Sequence, residues 1–208
     1  MTRSFQRFAG WAALGAAAAG LTFTVTFSIV VREGDRWAKW VSAVALTTGG
    51  LATLPVIIAL YAVMRDREPE FAFLGALLGA VGVLATAAHG AFDIAGLSKT
   101  VKPDLSDVPN FVDPRGFTTF GITGLALLVF GVLGLRVGGL DRTVARLAVF
   151  AAVLLAVLYV GRLTLLNPKT NVIKATALFS GLLVNPAFFV LFARSLLQPS
   201  GAQATSRA

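Results

Sequence analysis

His89 and Asp93 are the residues of this chain whose types and spacing could do chemistry inside an apolar environment. They place an imidazole and a carboxylate one helical turn apart, at the end of a run otherwise free of charge. At that separation the carboxylate can accept from an imidazole nitrogen, so the pair could relay a proton or hold a solute. Ionisable groups are expensive inside a membrane and are usually kept for a task, although a polar clamp between two helices is the plainer use. His89 is the only histidine and there is no cysteine. A mononuclear zinc site, a bis-histidine haem, an iron–sulfur cluster and a disulfide are therefore excluded within one subunit, and no cofactor or metal is expected.

Two further polar residues interrupt apolar runs. Arg162 stands near the end of one, and Asn185 sits directly before Pro186 in another. Asp93 and Arg162 each precede the expected end of their helix by about four residues, or about 6 Å of rise, which puts them at matched depth. The spacing predicts an intramembrane ion pair between them, with His89 bonded to the same group. The candidate polar cluster is thus His89, Asp93, Arg162 and Asn185. Pro55 and Pro186 lie inside apolar runs and free the carbonyls of Leu51 and Leu182, which in lipid must find another donor or line a wet cavity. Broken helices of this kind build many solute sites in transporters.

The remaining catalytic signals are weak. His89-Gly-Ala-Phe-Asp93 satisfies a bare HxxxD pattern, but helical packing already explains that spacing. No HExxH, GxSxG, Walker or dinucleotide glycine motif occurs, and a single intramembrane aspartate cannot form a protease dyad. The expectation is a protein that is not an enzyme.

The elements that must position these residues are legible as six uncharged stretches: Phe8 to Val31, Trp40 to Met64, Phe71 to Phe92, Gly116 to Leu135, Leu147 to Gly161 and Ala175 to Ala193. Tolerating one intramembrane charge extends the third past Asp93 and the fifth past Arg162. The expected fold is all-α, a polytopic membrane protein of six transmembrane helices at about 8–31, 40–64, 71–97, 116–138, 142–166 and 171–195. These form one domain over 1–197, followed by a small, polar, disordered tail over 198–208. Taking Gly75 as origin on a helical wheel, Gly79, Gly82, Thr86, His89 and Asp93 all fall within about 40° of it. The glycines form a stripe that lets a neighbouring backbone approach, so His89 and Asp93 are expected to point into the bundle.

With 56% hydrophobic and 13% charged residues and a mean hydropathy of +0.79, the chain has too little polar surface to cover a soluble globule. Its formal charge of +8 does not signal nucleic acid, because the basic residues stand at the ends of apolar runs, where they meet lipid phosphates. The first run follows Arg3 and Arg7 like a signal peptide, but it is too long for a cleaved segment and is expected to remain as a span. Trp11, Trp37 and Trp40 fit interfacial belts. Six spans put both termini on one side. Lys and Arg divide evenly between the two faces, so orientation is undecided, with a lean to a cytoplasmic N terminus.

The longest connection, Ser98 to Arg115, carries Asp104, Asp107 and Asp113 among three prolines. It lacks the ligand spacing of a calcium loop and reads as a solvated connector. Asp113-Pro114 reads as a cap followed by proline at the first helical position; Asp141 and Asn171 read as caps of the fifth and sixth helices. Leu60-Tyr61 before Arg65 and Leu158-Tyr159 before Arg162 hint at an inverted repeat, on very few matches.

Arg7-Phe-Ala-Gly10, Leu60-Tyr61, Asp113-Pro-Arg-Gly116 and Asn185-Pro186, taken together over most of the chain, resemble small bacterial six-helix membrane proteins of the domain-of-unknown-function kind. The resemblance implies an architecture and a multi-pass bacterial plasma-membrane location, with no catalytic role. The functional expectation is movement of a small solute, passive or proton-coupled; the alternative is a non-catalytic scaffold or sensor subunit. Expected partners are membrane lipids, with a homo-oligomer or a membrane-protein partner open, and no nucleic acid.

Overall fold

Each charge-free run becomes a helix, because in hydrocarbon a backbone must satisfy its polar groups within its own segment. The computed structural model describes residues 1–30, 35–98, 113–164 and 171–198. Among these residues six helical runs are long and apolar enough to cross a membrane: α1 (Arg3–Ser28), α2 (Arg36–Met64), α3 (Pro69–Leu97), α4 (Pro114–Arg136), α5 (Arg142–Thr164) and α6 (Asn171–Leu197). The chain is an all-α polytopic membrane protein, as its composition requires. Helical structure begins at Arg3 in α1 and at Arg36 in α2, ahead of the uncharged runs, because long basic side chains can follow the apolar surface out to the headgroups. Lys99, Lys102, Asp104 and Asp107 of the long connection, and all of the tail beyond Gln198, lie outside the described residues.

The six helices form a closed ring in chain order. Each packs on its sequence neighbours, and α1 closes the ring against α6. At this seam Gln6 Nε2 donates to the Leu196 carbonyl at 2.8 Å, and Gly10 lies so close to Leu197 that a Cβ there would stand 2.7 Å from its Cγ. The beginning of α1 and the end of α6 therefore share one end of the bundle. Single cysteines placed at Thr2 and Gln198 should react with a membrane-impermeant maleimide from the same side; labelling from opposite sides would remove the even span count.

The glycine stripe of α3 is a double-sided wedge. Gly75 packs on Phe130 and Gly82 on Thr123 and the Thr118 carbonyl, all of α4, while Gly79 packs on Ile57 and Gly90 on Ala43 and Thr47 of α2. From the other side, Gly50 of α2 lies against the Val83 and Ala87 backbone of α3. Close approach without side chains gains dispersion contact where no hydrophobic force acts between helices, which is how small residues stabilise membrane bundles.

Three spans depart from regular α geometry. α1 runs into a π-helical turn, Thr26–Val30, that carries it past Ser28; α4 opens with a 3₁₀ turn, Pro114–Gly116, then a π segment, Phe117–Ile122; α6 holds a π segment, Ser180–Val184, just before Asn185-Pro186. The last has a clear cause. Pro186 cannot donate to the Leu182 carbonyl, and the widened turn absorbs the clash as the Asn185 N–H bonds the Ser180 carbonyl instead.

Candidate functional site

A cavity of roughly 190 Å³ lies between the helices, and every span contributes to its wall. The wall is mostly aliphatic and aromatic, with polar groups at Thr53, Thr86, Thr119, Thr123 and Asn185. Most of those hydroxyls are committed. Thr53 donates to the Gly49 carbonyl at 2.7 Å, Thr86 to Gly82 at 2.9 Å and Thr123 to Thr118 at 3.3 Å, each spending its proton on its own helix. Asn185 differs, because its side-chain amide makes no hydrogen bond among the described residues. It sits where α6 leaves its π segment, one residue before Pro186, which also lines the cavity. The broken helix thus delivers one uncommitted donor–acceptor group to the centre of the ring.

The other residues of the expected cluster lie elsewhere. His89 and Asp93 share α3 and are near enough to interact electrostatically, but no hydrogen bond or ion pair joins them, and neither lines the cavity. The Asp93–Arg162 pair is not formed: among the described residues the one ion pair is Arg65–Asp66, at 3.5 Å. The reason is lateral order. α4 packs against both α3 and α5, which do not pack on each other, so matched depth leaves Asp93 and Arg162 on opposite sides of a helix.

Arg162 instead faces the head of α4. Its guanidinium carbon lies 5.5 Å from the centroid of the Phe120 ring, and Nη1 is 3.1 Å from the position a Cβ on Gly116 would take. Phe117 and Tyr159 pack beside it with ring centroids 5.7 Å apart. The acid that acts on Arg162 is Asp113, and Arg115 opposes it.

Asp113 is the residue that sequence reasoning undervalued. Grouped there with the solvated loop acids, it is only 3% exposed. Nor does it cap the turn that begins at Pro114. The chain passes through left-handed backbone at Arg115 (φ 56) and Gly116 (φ 80), and the carboxylate reaches over that turn. Oδ1 accepts from the Thr118 N–H at 2.6 Å; Oδ2 accepts from the Thr119 N–H at 3.1 Å and the Thr119 hydroxyl at 2.5 Å. Burial alone would push this carboxyl up, but the bonds from Thr119 and Thr118 outweigh it and hold Asp113 below its usual value. The glycine two residues after Pro114 was the available signal of a turn that bends away from a simple helix start. Asp141 does cap α5, accepting from the Thr143 N–H at 2.8 Å.

The chain matches no family model, no curated protein and no solved structure. What the site defines is a multi-pass helical membrane protein with a central, largely apolar cavity and a charged cluster at one end of it.

Proposed function

We propose that this protein, in a bacterial plasma membrane and without covalent chemistry, gives passage to a small uncharged solute through the cavity between its six helices. The observation that carries the reading is the uncommitted Asn185 amide on a broken helix, inside a chamber walled by all six spans. At about 190 Å³ the chamber exceeds the ~150 Å³ cavity known to accept benzene. No charged side chain lines it, and an ion there would forfeit several kcal/mol of hydration, so the solute is neutral with one or two hydrogen-bonding groups. Because His89 and Asp93 are not in the wall, the geometry supports a passive route over a proton-coupled one.

Swelling of proteoliposomes in a graded series of short alcohols and amides tests this. Permeation should exceed that of empty liposomes for the smaller members and fall at least about tenfold in Asn185→Leu, which keeps the branched shape but removes both polar atoms. No excess permeation for any member would remove the reading.

A scaffold or sensor role is supported by a second feature. Ala19 and Thr22 of α1 with Val41, Val44 and Thr48 of α2 line an open groove near Trp40 on the lipid-facing side. A homo-oligomer or another membrane protein seated there would be detected by crosslinking from Thr22→Cys and Thr48→Cys.

A further inference from the structure

We propose that Arg162 and Arg115 form a binding site for a phosphate group at the end of the bundle where α4 begins and α5 ends, filled by a lipid headgroup or by free phosphate. Arg162 is half-buried, yet among the described residues none of its five N–H donors finds a hydrogen-bond acceptor and no carboxylate lies within 4.0 Å of it. Its nitrogens are not among the fully buried unbonded polar atoms, so those donors keep accessible surface and are open to an oxyanion from outside the bundle. The guanidinium is also positioned. It lies over the Phe120 ring, and it fits against backbone that carries no side chain at Gly116.

Local charge favours an anion. The nearby carboxylate, Asp113, has both oxygens occupied by Thr118 and Thr119, and Arg115 adds a second cation that repels the first. Among the described residues, two guanidiniums and one committed carboxylate leave an excess positive charge, which a tetrahedral oxyanion bound by a planar fork would neutralise. Arg115 is exposed and is the one non-glycine at positive φ among the described residues, a conformation that side chains rarely adopt unless the surroundings impose it. Arg162 stands in the last turn of its span, so the site lies at the depth of lipid phosphates.

The test uses the full chain purified in lipid-depleted detergent. Thermal unfolding is followed while inorganic phosphate, phosphatidylglycerol or a neutral diacylglycerol is added. The melting temperature should rise with one of the phosphate-bearing additions and not with diacylglycerol. The concentration giving half that rise should increase at least about tenfold in Arg162→Gln and in Arg115→Gln, and stay unchanged in Arg142→Gln at the opposite end. A response to inorganic phosphate identifies a free-anion site; a response to phosphatidylglycerol alone identifies a headgroup site. Should Arg162→Gln fail to fold, Arg115→Gln decides, because its side chain lies outside the core. No rise with either phosphate source, or variants that respond at wild-type concentrations, would overturn the proposal.

Discussion

Gly90→Ala should lose at least about 3 kcal/mol of stability, beyond the usual 1–3 kcal/mol of an overpacked core site, from the addition of one methyl group. A Cβ at this position would stand 2.6 Å from the Thr47 N and 2.7 Å from the Ala43 carbonyl oxygen of α2. Those are backbone atoms. They cannot rotate away, so α2 and α3 must separate along their length, and separation breaks the equivalent contact of Gly50 with Val83 and Ala87. Gly79→Ala supplies a contrast on the same stripe, since the three atoms nearest its Cβ would all belong to the Ile57 side chain, which can repack. Gly96→Ala supplies another: its Cβ meets nothing within 4 Å, and alanine's higher helix propensity should stabilise that turn by up to about 1 kcal/mol. Thermal unfolding in detergent should rank the variants Gly96→Ala, Gly79→Ala, Gly90→Ala in falling order. Equal melting of the last two would mean that the α2–α3 contact is looser than described.

The second large effect is expected at Asp113. Asp113→Ala removes an acceptor of three hydrogen bonds and leaves the Thr118 and Thr119 N–H groups without their partner in a buried setting, for an expected loss of about 2–4 kcal/mol. The effect should depend on pH. Because the folded-state pKa is lowered, the carboxylate's contribution is complete above its unfolded value of about 3.9 and is lost as pH falls through the lower folded value. Wild type should therefore show an added loss of stability below about pH 4 that Asp113→Asn does not show. Unfolding curves collected across that range would measure it, and superimposable acid profiles for the two proteins would assign the bonds no role. Since Thr119 also lines the cavity, solute permeation should change in the same variant.

What could be foreseen from the chain divides along physical lines. The spans are written in the absence of charge, and the packing face of α3 in the spacing of Gly75, Gly79 and Gly82, because both are properties of a single segment. The error at Asp93 and Arg162 arose where two segments had to be related. Depth follows from counting residues along each helix, whereas the order of helices around a ring depends on which surfaces fit, and no local pattern records that α4 stands between the two. Asp113 was misjudged for a related reason. An aspartate before proline normally ends a loop, and only the left-handed path through Arg115 and Gly116 turns its carboxylate inward. Asn185 was singled out for its place beside Pro186; that its amide would be the uncommitted group of a central cavity depended on where five other helices came to lie.

The seam between α1 and α6 sets a timetable for biogenesis. Of the six spans described, α1 is synthesised first and α6 last, yet each is the other's neighbour, joined at Gln6 and Leu196. At about 5–20 residues per second, α1 waits on the order of ten seconds or more before α6 leaves the ribosome. Throughout that interval the small-residue face of α1, including Gly10 and Ala13, meets lipid or an insertion chaperone in place of its partner. The central chamber acquires its last wall only then. A ribosome that stalls after α5 would leave an open five-walled trough, with Phe23 and Leu155 exposed to whatever lipid or protein reaches them first.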